Sequence, residues 1–407
     1  MKAVVWHGVG DIRLDTVPEP KIEQPTDAII RLTASAICGT DLHFVRGTFS
    51  GMKPGTILGH EGVGVVEELG AEVRNFDVGD RVVICSTIGC GICSYCRAGY
   101  YAQCDNANPN GPDKGTSFFG GPADTGPING LQAERARIPF AATTMVKLPA
   151  EVSDDQAILI SDIFPTGWYG ALLAEVSEGD TVAVFGCGPV GQFAIASAIL
   201  QGAGRVTAVD KHAHRLAMAR HQGAFTVNFE AEDPVQTIKM LTGGVGVDRV
   251  IDAVGVDAMH AHHGPAGEKA AKQEEVFEKE VKQVAPEQHP HDGNWVPGDG
   301  PSQVLDWAME CIAKAGTLGI IGVYPPQAKF FPIGQAMNKN LSVNAGNCNH
   351  RAYIPKLVEM VRMGRIDPLE VLTKVEKLTG AIDAYEHFDK RESGWIKTEL
   401  KLAEAAE

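Results

Sequence analysis

The distribution of apolar and polar positions along the chain changes near Pro149. Before it, short apolar runs such as AIIRLTASAI and GVGVVEELG are interrupted by glycine, proline and aspartate, a pattern typical of a mostly antiparallel β domain. After it, apolar runs including TVAVFG, RVTAVD and GTLGIIG alternate with helical stretches such as GQFAIASAILQGA. Runs that are apolar throughout indicate parallel strands covered on both faces. The sequence therefore predicts an α/β protein with a mostly β domain and a doubly wound domain.

The domain boundaries follow from the same pattern, and two domains also fit a chain of 407 residues. We expect the doubly wound domain over residues 164–324. We expect the first domain over residues 1–163 and again over 325–407, where the helical stretch YIPKLVEMVRMGRI and a last strand, GWIKTELKL, return to it. A segment over about 257–302, rich in His, Pro, Glu and Lys, interrupts the alternation and is predicted to be an insertion.

Charge and cysteine content narrow the ligands and the compartment. A formal net charge of -15 argues against nucleic acid and anionic membranes as partners, because both require a basic surface. The start of the chain, MKAVVWHGVGDIRLD, contains no apolar core of signal-peptide length, and we find no apolar run long enough to span a bilayer. We predict a cytoplasmic protein with small-molecule ligands, whose nine cysteines are thiols or metal ligands.

Four cysteines form a compact motif, C-x2-C-x2-C-x7-C. Four thiolates at such spacing match a closed tetrahedral zinc site. A redox-active pair is the alternative, but it requires only one C-x-x-C beside a helix start. We therefore predict a zinc site formed by Cys90, Cys93, Cys96 and Cys104.

The motif GCGPVG follows the predicted strand TVAVF and precedes a helix. Gly186 would form the tight turn, Gly188 would let backbone approach a pyrophosphate, and Gly191 would permit close helix packing. A glycine-rich turn without a ligand is the alternative. Asp210 ends the next predicted strand, where a carboxylate binds the adenosine ribose hydroxyls and favours NAD over NADP. The adjacent Lys211 and Arg215 oppose that preference, since either could reach a phosphate.

Possible catalytic metal ligands are scattered over the first domain. CGTDLH contributes Cys38 and His43, GHEGVG contributes His60 and Glu61, and SDIFPTGW contributes Asp162. A catalytic zinc commonly has three protein ligands and one open position, and Cys, His and a carboxylate form a suitable set. Each residue also has a structural explanation: a buried apolar thiol, a core imidazole, or a helix cap.

The order and spacing of these motifs resemble those of the zinc-dependent medium-chain alcohol dehydrogenases. SDIFPTGWYGA, the long loop after Cys104 and the insertion after Gly255 are similar to the formaldehyde dehydrogenase branch, in which Asp replaces the usual third cysteine ligand. The resemblance implies a GroES-like catalytic domain, a Rossmann NAD-binding domain, two zinc ions per chain and a dimer or tetramer. It implies that Cys38, His60 and Asp162 bind the catalytic zinc and that Glu61 can approach the metal.

The resemblance also implies the reaction, in which hydride passes between a zinc-bound alkoxide and nicotinamide on a small alcohol or aldehyde substrate. Thr40 would take the proton and His43 would pass it towards solvent. The residues implied to contact the cofactor are Gly39, Thr40, His43, Thr166, Gly186, Gly188, Pro189, Val190, Gly191, Asp210, Lys211, Arg215, Val254, Gly255, Gly322, Val323 and Lys397. A polyol or threonine dehydrogenase and a non-catalytic NAD-binding protein remain alternatives.

The insertion combines a charged stretch, EKAAKQEEVFEKEVKQ, with flanks that carry histidines. We favour a solvent-exposed helix between loops over a third metal site. The insertion follows DAVG, a predicted strand whose carboxyl end faces a cofactor crevice, and the resemblance implies that it covers the adenine half of NAD. We therefore expect it to act as a lid.

Overall fold

The structure is a computed structural model that describes residues 1–402, so the last five residues of the segment expected over 325–407 lie outside it. The strands are, in chain order, β1 (Lys2–Gly8), β2 (Asp11–Thr16), β3 (Ala28–Ile37), β4 (Thr56–Ile57), β5 (Gly62–Leu69), β6 (Arg81–Ile84), β7 (Arg135–Ile138), β8 (Met145–Lys147), β9 (Thr181–Phe185), β10 (Arg205–Asp210), β11 (Phe225–Asn228), β12 (Val247–Asp252), β13 (Ile312–Ile320), β14 (Ser342–Ala345), β15 (Lys374–Lys377) and β16 (Thr398–Lys401).

The α-helices are α1 (Gly39–Arg46), α2 (Ser94–Arg97), α3 (Ala141–Thr144), α4 (Asp154–Ser161), α5 (Ile163–Leu173), α6 (Pro189–Leu200), α7 (Ala213–His221), α8 (Pro234–Leu241), α9 (Gly264–Ala270), α10 (Glu274–Val284), α11 (Gln303–Cys311), α12 (Ile333–Asn338), α13 (His350–Arg362) and α14 (Ala381–Asp389). Short 3₁₀ helices cover Tyr101–Gln103, Pro112–Lys114, Ala123–Thr125, Pro368–Val371 and Leu378–Gly380. No helix within residues 1–402 is long and apolar enough to cross a membrane.

The chain forms two compact units. The first contains Met1–Pro165, His289–Trp295 and the chain from Asn347 onward, and the second contains Thr166–Gln288 and Val296–Gly346. The return to the first unit therefore comes later than the expected residue 325, because β14 pairs in parallel with β13 and extends the second sheet. Residues 289–295 of the insertion also belong to the first unit, although we expected the whole insertion in the second domain.

The first unit is built on antiparallel pairing, as predicted. Its main sheet has the strand order β15-β16-β3-β5-β6-β8, with β7 also paired to β3, and a smaller sheet has the order β2-β1-β4. Among the strand pairs of this unit within residues 1–402, only β15 and β16 are parallel. The core of this unit includes Ile30 and Leu32 from β3 and Val82 and Ile84 from β6, all at 1% exposure or less.

The second unit contains a six-stranded sheet with the order β11-β10-β9-β12-β13-β14, and every neighbouring pair in it is parallel. Counted within the unit, this order is 3-2-1-4-5-6, which is that of a Rossmann fold, with its ligand crevice at the carboxyl ends of β9 and β12. The central strand β9 is buried from Val182 to Phe185, as expected for a sheet covered on both faces. The doubly wound prediction is confirmed.

The charged stretch of the insertion forms α9 and α10. Helix α10 buries only Phe277, Glu280 and Val284, so most of its surface is polar and accessible. It is anchored where a Glu280 carboxylate oxygen accepts a hydrogen bond from the Ser302 N–H at 3.2 Å. The expectation of a solvent-exposed helix in this segment agrees with the structure.

Candidate active site and metal centres

Cys38 occupies the N-cap position of α1, directly after β3. The Cys38 N–H donates to Asp41 Oδ2 at 3.0 Å, so an acidic side chain in the first turn satisfies a backbone donor at the helix start. Gly39 and Thr40 are the first two residues of the helix. The motif CGTDLH thus folds into a capped helix start that holds the Cys38 thiol in a buried position, 4% exposed.

His60 lies between β4 and β5, directly after Gly59, a position that only glycine can occupy. Gly59 has φ of +90°, and a Cβ there would lie 2.5 Å from the Gln132 side chain. Asp41 Oδ1 lies 3.2 Å from His60 Nδ1. The two oxygens of Asp41 therefore orient both the Cys38 backbone and the His60 ring, an arrangement common behind metal-binding histidines.

Asp162 lies at the break between α4 and α5, where its backbone leaves helical geometry at φ −143° and ψ −64°. Its Oδ2 is 3.7 Å from Cys38 Sγ and 3.3 Å from His60 Nε2. Together with Glu61, these three residues bring one ligand atom each to within 4.8 Å of one another, and all four are buried. Residues separated by more than 120 positions in sequence thus form one cluster.

The spacing of this cluster fits a tetrahedral zinc ion. Zinc bonds of about 2.0–2.3 Å place nitrogen and oxygen ligands roughly 3.4 Å apart, and sulfur and oxygen ligands roughly 3.6 Å apart. The observed distances are 3.3 Å between His60 and Asp162 and 3.7 Å between Cys38 and Asp162. A buried thiol, imidazole and carboxylate that face one another also need a cation to balance their charge once the thiol is deprotonated.

Charges around the cluster set its protonation. Burial raises the pKa of the Cys38 thiol, which His60 only partly opposes. Burial opposes a charged His60, but Asp41 and Cys38 outweigh it and raise the pKa of that imidazole. Burial likewise works against an ionised Asp162, yet hydrogen bonds from His350 and His60 hold its pKa well below the usual range. Metal binding must therefore release protons from the thiol and the imidazole.

His350 is a part of the cluster that the sequence did not reveal. Its Nε2 lies 2.6 Å from Asp162 Oδ1, and its Nδ1 lies 3.0 Å from the hydroxyl of Thr87, which donates to the Cys348 carbonyl at 3.1 Å. The only signal in the sequence is a histidine at the start of the helical stretch HRAYIPKL, which is not specific.

Glu61 is paired with Lys397 in the interior of the first unit. Lys397 Nζ donates to Glu61 Oε1 at 2.6 Å and to the Ile37 carbonyl at 3.0 Å, and both side chains have 0% exposure. Burial raises the pKa of Glu61 to about 7 although Lys397 opposes the rise. The sequence analysis expected Lys397 to contact the cofactor. In the structure its ammonium pairs with Glu61, because pairing of β16 with β3 sets the adjacent Thr398 opposite Ile37.

Thr40 and His43 lie three residues apart on α1, so they share one side of the helix. Thr40 Oγ1 is 3.9 Å from Cys38 Sγ. The Thr48 hydroxyl donates to the His43 carbonyl at 3.3 Å and lies 2.8 Å from His43 Nδ1. These two contacts with Thr48 hold the His43 imidazole in place.

Aromatic rings border the cluster on one side. The ring centroid of Phe118 lies 6.3 Å from that of His60 in an edge arrangement, and Phe118 stacks on Phe44 at 6.2 Å. Phe49 meets Phe44 edge-on at 5.9 Å. These rings form an apolar surface beside the candidate metal ligands.

The four cysteines of the compact motif converge at α2. Cys93 Sγ and Cys104 Sγ are 3.9 Å apart, against roughly 3.8 Å for two thiolates on one tetrahedral zinc ion. Backbone N–H groups of Cys93 and Cys96 donate to the sulfurs of Cys90 and Cys93 at 3.4 Å, and the Asn106 amide donates to Cys90 Sγ at 3.2 Å. Burial opposes ionisation of Cys93, but hydrogen bonds from the backbone N–H groups of Cys96 and Asp105 lower its pKa to about 7. Such donors favour thiolates, which is the form that binds zinc.

In the second unit, the glycine-rich turn connects β9 to α6. Gly186 has φ of +86°, and a Cβ on Gly191 would lie 1.9 Å from the Gly186 carbonyl oxygen. A Cβ on Gly188 would meet only an Arg215 nitrogen, at 3.7 Å, so the backbone there is open to a ligand. Pro189 and Val190 begin α6, whose N-terminal amides face the turn.

Asp210 ends β10 next to this turn. It accepts hydrogen bonds from the Cys187 N–H at 2.8 Å and from the Lys211 N–H at 2.7 Å, which fix its side chain. Arg215 Nη1 lies 3.9 Å from Asp210 and Lys211 Nζ lies 3.8 Å from Glu230. Burial opposes ionisation of Asp210, but Arg215 outweighs it and lowers its pKa. Both cations near the carboxylate are therefore already paired with acidic groups.

The remaining predicted cofactor residues of the second unit lie on neighbouring loops or at its start. Gly255 and Val323 form a parallel bridge, and a Cβ on Gly322 would lie 2.2 Å from the Gly255 nitrogen. The N–H groups of Val254 and Gly255 donate to Asp252 Oδ1 at 2.9 and 3.1 Å. Thr166 is the first residue of the unit, on α5.

Comparisons with known proteins agree with this architecture. The alcohol dehydrogenase GroES-like domain family matches residues 24–150, and the zinc-binding dehydrogenase family matches residues 189–262. A zinc-type alcohol dehydrogenase-like protein of Bacillus subtilis is 37% identical over 405 residues, which cover 98% of this chain and 100% of that protein. The glutathione-independent formaldehyde dehydrogenase of Pseudomonas aeruginosa is 30% identical over 413 residues, 95% of this chain and 94% of the relative.

Among solved structures, alcohol dehydrogenase TADH from Thermus sp. ATN1 is similar with a TM-score of 0.79 and 30% identity, and the match covers 99% of this chain and 100% of that one. The GroES-like and Rossmann predictions are confirmed by these matches. The chain belongs to the zinc-dependent medium-chain alcohol dehydrogenases, with zinc and a nicotinamide dinucleotide as its cofactors.

Proposed function

We propose that this protein oxidises small alcohols, or reduces the corresponding aldehydes, at a zinc ion held by Cys38, His60 and Asp162, with NAD as the hydride carrier. The observation that carries the proposal is the convergence of these three buried side chains at tetrahedral spacing, with distances of 3.3 and 3.7 Å to Asp162. A second zinc ion is assigned to the four-cysteine cluster, where it would stabilise a loop and take no part in the chemistry.

Bound zinc supplies Lewis acidity, which lowers the pKa of a substrate hydroxyl, and bound NAD supplies the hydride acceptor. The protein supplies position and a route for the proton. Thr40 lies beside Cys38, and His43 follows on the same side of α1 with its ring held by Thr48. We assign Thr40 as the first proton acceptor and His43 as the second, with Glu61 held back from the ligand set by its ion pair with Lys397.

NAD is the proposed form of the cofactor. The ionised carboxylate of Asp210, at the edge of the glycine-rich turn, would accept ribose hydroxyls and repel a 2′-phosphate. Pairing of Lys211 with Glu230 and of Arg215 with Asp210 itself weakens the two cations that could bind that phosphate. The second unit is thus assigned to the cofactor and the first to the metal and substrate.

The finer proposal is a formaldehyde dehydrogenase-like specificity. It is supported by an aspartate at position 162, where the family commonly has a cysteine, and by the similarity to the formaldehyde dehydrogenase of Pseudomonas aeruginosa. Polyol and threonine dehydrogenases of the same fold are the alternative enzymes. We also propose a homo-oligomer, a dimer or tetramer, which light scattering on the purified protein would test.

The deciding experiment measures zinc content and NADH formation or consumption by the same preparation. Formaldehyde, longer aldehydes, primary alcohols, polyols and threonine are each supplied with NAD or NADH. We expect turnover of an alcohol or aldehyde that chelation abolishes and added zinc restores. Tight NAD binding without turnover of any compound would overturn the enzymatic proposal, and a preference for polyols or threonine would overturn only the formaldehyde branch.

A further inference from the structure

A third cluster of possible metal-binding side chains lies in the second unit and shares no residue with the ligands assigned above. His260 and His262 lie where the chain enters the insertion, and Asp299 lies where it leaves. The two arms are joined directly, since the Gly300 N–H donates to the Ala258 carbonyl at 2.9 Å. We call residues 257–263 and 296–302 the neck of the insertion.

The ligand atoms of the cluster are close enough for one cation. All three lie within 4.8 Å of one another. Asp299 Oδ2 is 3.0 Å from His262 Nε2 and 3.8 Å from His260 Nε2, distances that bracket the roughly 3.4 Å expected between nitrogen and oxygen ligands of tetrahedral zinc. The rings of the two histidines are 4.3 Å apart between centroids.

Contacts behind the ligands orient them for a cation. His260 Nδ1 lies 3.0 Å from the Ala261 carbonyl oxygen, and because a carbonyl only accepts, Nδ1 carries the hydrogen and Nε2 carries the lone pair. The His260 ring stacks on the buried ring of Phe277 at 5.3 Å and 9°. Asp299 Oδ1 accepts from the His260 N–H at 2.9 Å, so the other oxygen remains for a ligand. Metal-binding histidines commonly have such support.

We propose that His260, His262 and Asp299 bind a third zinc ion per chain, which clamps the two arms of the neck together. Two imidazoles and one carboxylate suit zinc and similar transition metals, whereas Mg²⁺ and Ca²⁺ prefer oxygen ligands throughout. The His262 side chain is 41% exposed, so the fourth ligand is water and the site binds zinc more weakly than the two buried clusters do. The proposal does not depend on the catalytic function.

The alternative is an ordinary ion pair between His262 and Asp299, which a partly exposed pair can form without any metal. The ion pair and the metal site differ in the side chains that each requires. An ion pair needs a protonated His262 and leaves His260 uninvolved, whereas the metal site needs all three side chains and loses affinity when any one is removed.

The test is a zinc titration of the full-length protein, starting with both buried clusters filled and following uptake by calorimetry and elemental analysis. We expect one further zinc ion per chain in the wild type. H262A and D299N should each weaken that uptake by about tenfold or more, in line with the loss of a metal-site partner. H263A, which removes the adjacent exposed histidine, is the matched control and should bind as the wild type does.

Hydrogen exchange gives a second measurement that does not depend on counting ions. Added zinc should slow amide exchange in the neck in the wild type and in H263A, but not in H262A. If the wild type binds no further zinc ion, the cluster is an ion pair and the proposal is overturned. If H262A binds zinc as the wild type does, the uptake is nonspecific binding by surface histidines, and the proposal is likewise overturned.

Discussion

His350 Nε2 lies 2.6 Å from Asp162 Oδ1, while the other oxygen of Asp162 faces Cys38 and His60. Each oxygen of one carboxylate thus has a separate partner. His350 itself is fixed by Thr87 at its other ring nitrogen. This chain of contacts sets the orientation of Asp162 before any ligand is present, which lowers the cost of forming a metal site there.

Replacing His350 by Ala should weaken zinc binding at the catalytic cluster by about 10–100-fold, because outer partners of metal ligands have effects of that size. Zinc retention against a graded chelator measures this. H350Q, whose amide can still donate to Asp162, should lie between the wild type and H350A. H221A, at the end of α7 in the second unit, is the control and should be unchanged. Equal zinc retention in the wild type and the three variants would show that His350 does not support the metal ligands.

Replacing Asp162 by Ala should remove one zinc ion and reduce turnover by about 10³-fold or more, since Lewis-acid stabilisation supplies several kcal/mol. D162C is the matched variant. A thiolate binds zinc well, so it should keep the ion and part of the activity. Elemental analysis and NADH formation are measured together. Full zinc content and normal activity in D162A would contradict the ligand assignment.

Replacing Cys96 by Ser should remove the zinc ion of the four-cysteine cluster and lower the free energy of unfolding by roughly 2 kcal/mol, or Tm by several degrees. The catalytic zinc should stay bound, because Cys96 does not belong to that cluster. C85A changes a buried thiol outside the catalytic and four-cysteine clusters and should keep the zinc ions of both. An unchanged melting temperature in C96S would refute the stabilising role.

Replacing Asp210 by Ser should lower the ratio of kcat/KM for NAD to kcat/KM for NADP by about tenfold or more. A carboxylate and a phosphate roughly 4 Å apart repel each other by about 1–4 kcal/mol, depending on the local dielectric. The ratio of kcat/KM for the two cofactors is the measured quantity. E230Q provides a second comparison, because it releases Lys211 from its partner and should favour NADP. Similar efficiency of the wild type with both cofactors would show that the cations dominate.

The burial of Glu399 leads us to expect that the free energy of unfolding depends on pH. Its side chain is fully buried and neither carboxylate oxygen has a hydrogen-bond partner, and burial, reinforced by Asp155, raises its pKa from 4.5 to about 7. Between these values the folded state retains a proton that the unfolded state has released. Stability therefore falls as the pH rises from about 4.5 to 7 and remains lower above it.

E399Q should remove this loss and stabilise the protein at pH 8 by about 1–3 kcal/mol relative to wild type, with little difference near pH 4.5. Urea unfolding of the zinc-loaded proteins at several pH values measures the difference. E370Q, at an exposed position, should have no effect at either pH. A constant difference between E399Q and wild type across the range would mean that Glu399 does not titrate there.

Much of the fold could be predicted because its signals are local. Continuous apolar runs identified the parallel strands, and the glycine-rich turn identified the start of α6. The boundary expected at residue 325 was early, because β14 is short and exposed in part, so its membership of the sheet depends on pairing with β13. The placement of residues 289–295 is likewise decided by packing in the first unit.

Residues of the candidate site could be predicted only where they lie in a recognisable sequence motif. Cys38 and His60 lie in short recognisable segments, and the structure brings them together with Asp162. His350 lies 188 positions after Asp162, and no local pattern marks the pair. Lys397 was identified as a cation near the site, but its partner is decided by the register of β16 against β3, which composition and spacing do not encode.

The division of the chain also constrains the order in which the protein can fold during synthesis. Residues 289–295 contribute the buried Trp295, whose N–H donates to Asp389 Oδ2 at 2.7 Å, and β16 is paired to β3 near the end of the described chain. The first unit, which begins at the N-terminus, is therefore completed only after the second unit has left the ribosome. The nascent β3 edge and the pocket for Trp295 stay uncovered through most of translation, so this N-terminal unit is the part of the molecule that most needs chaperone protection.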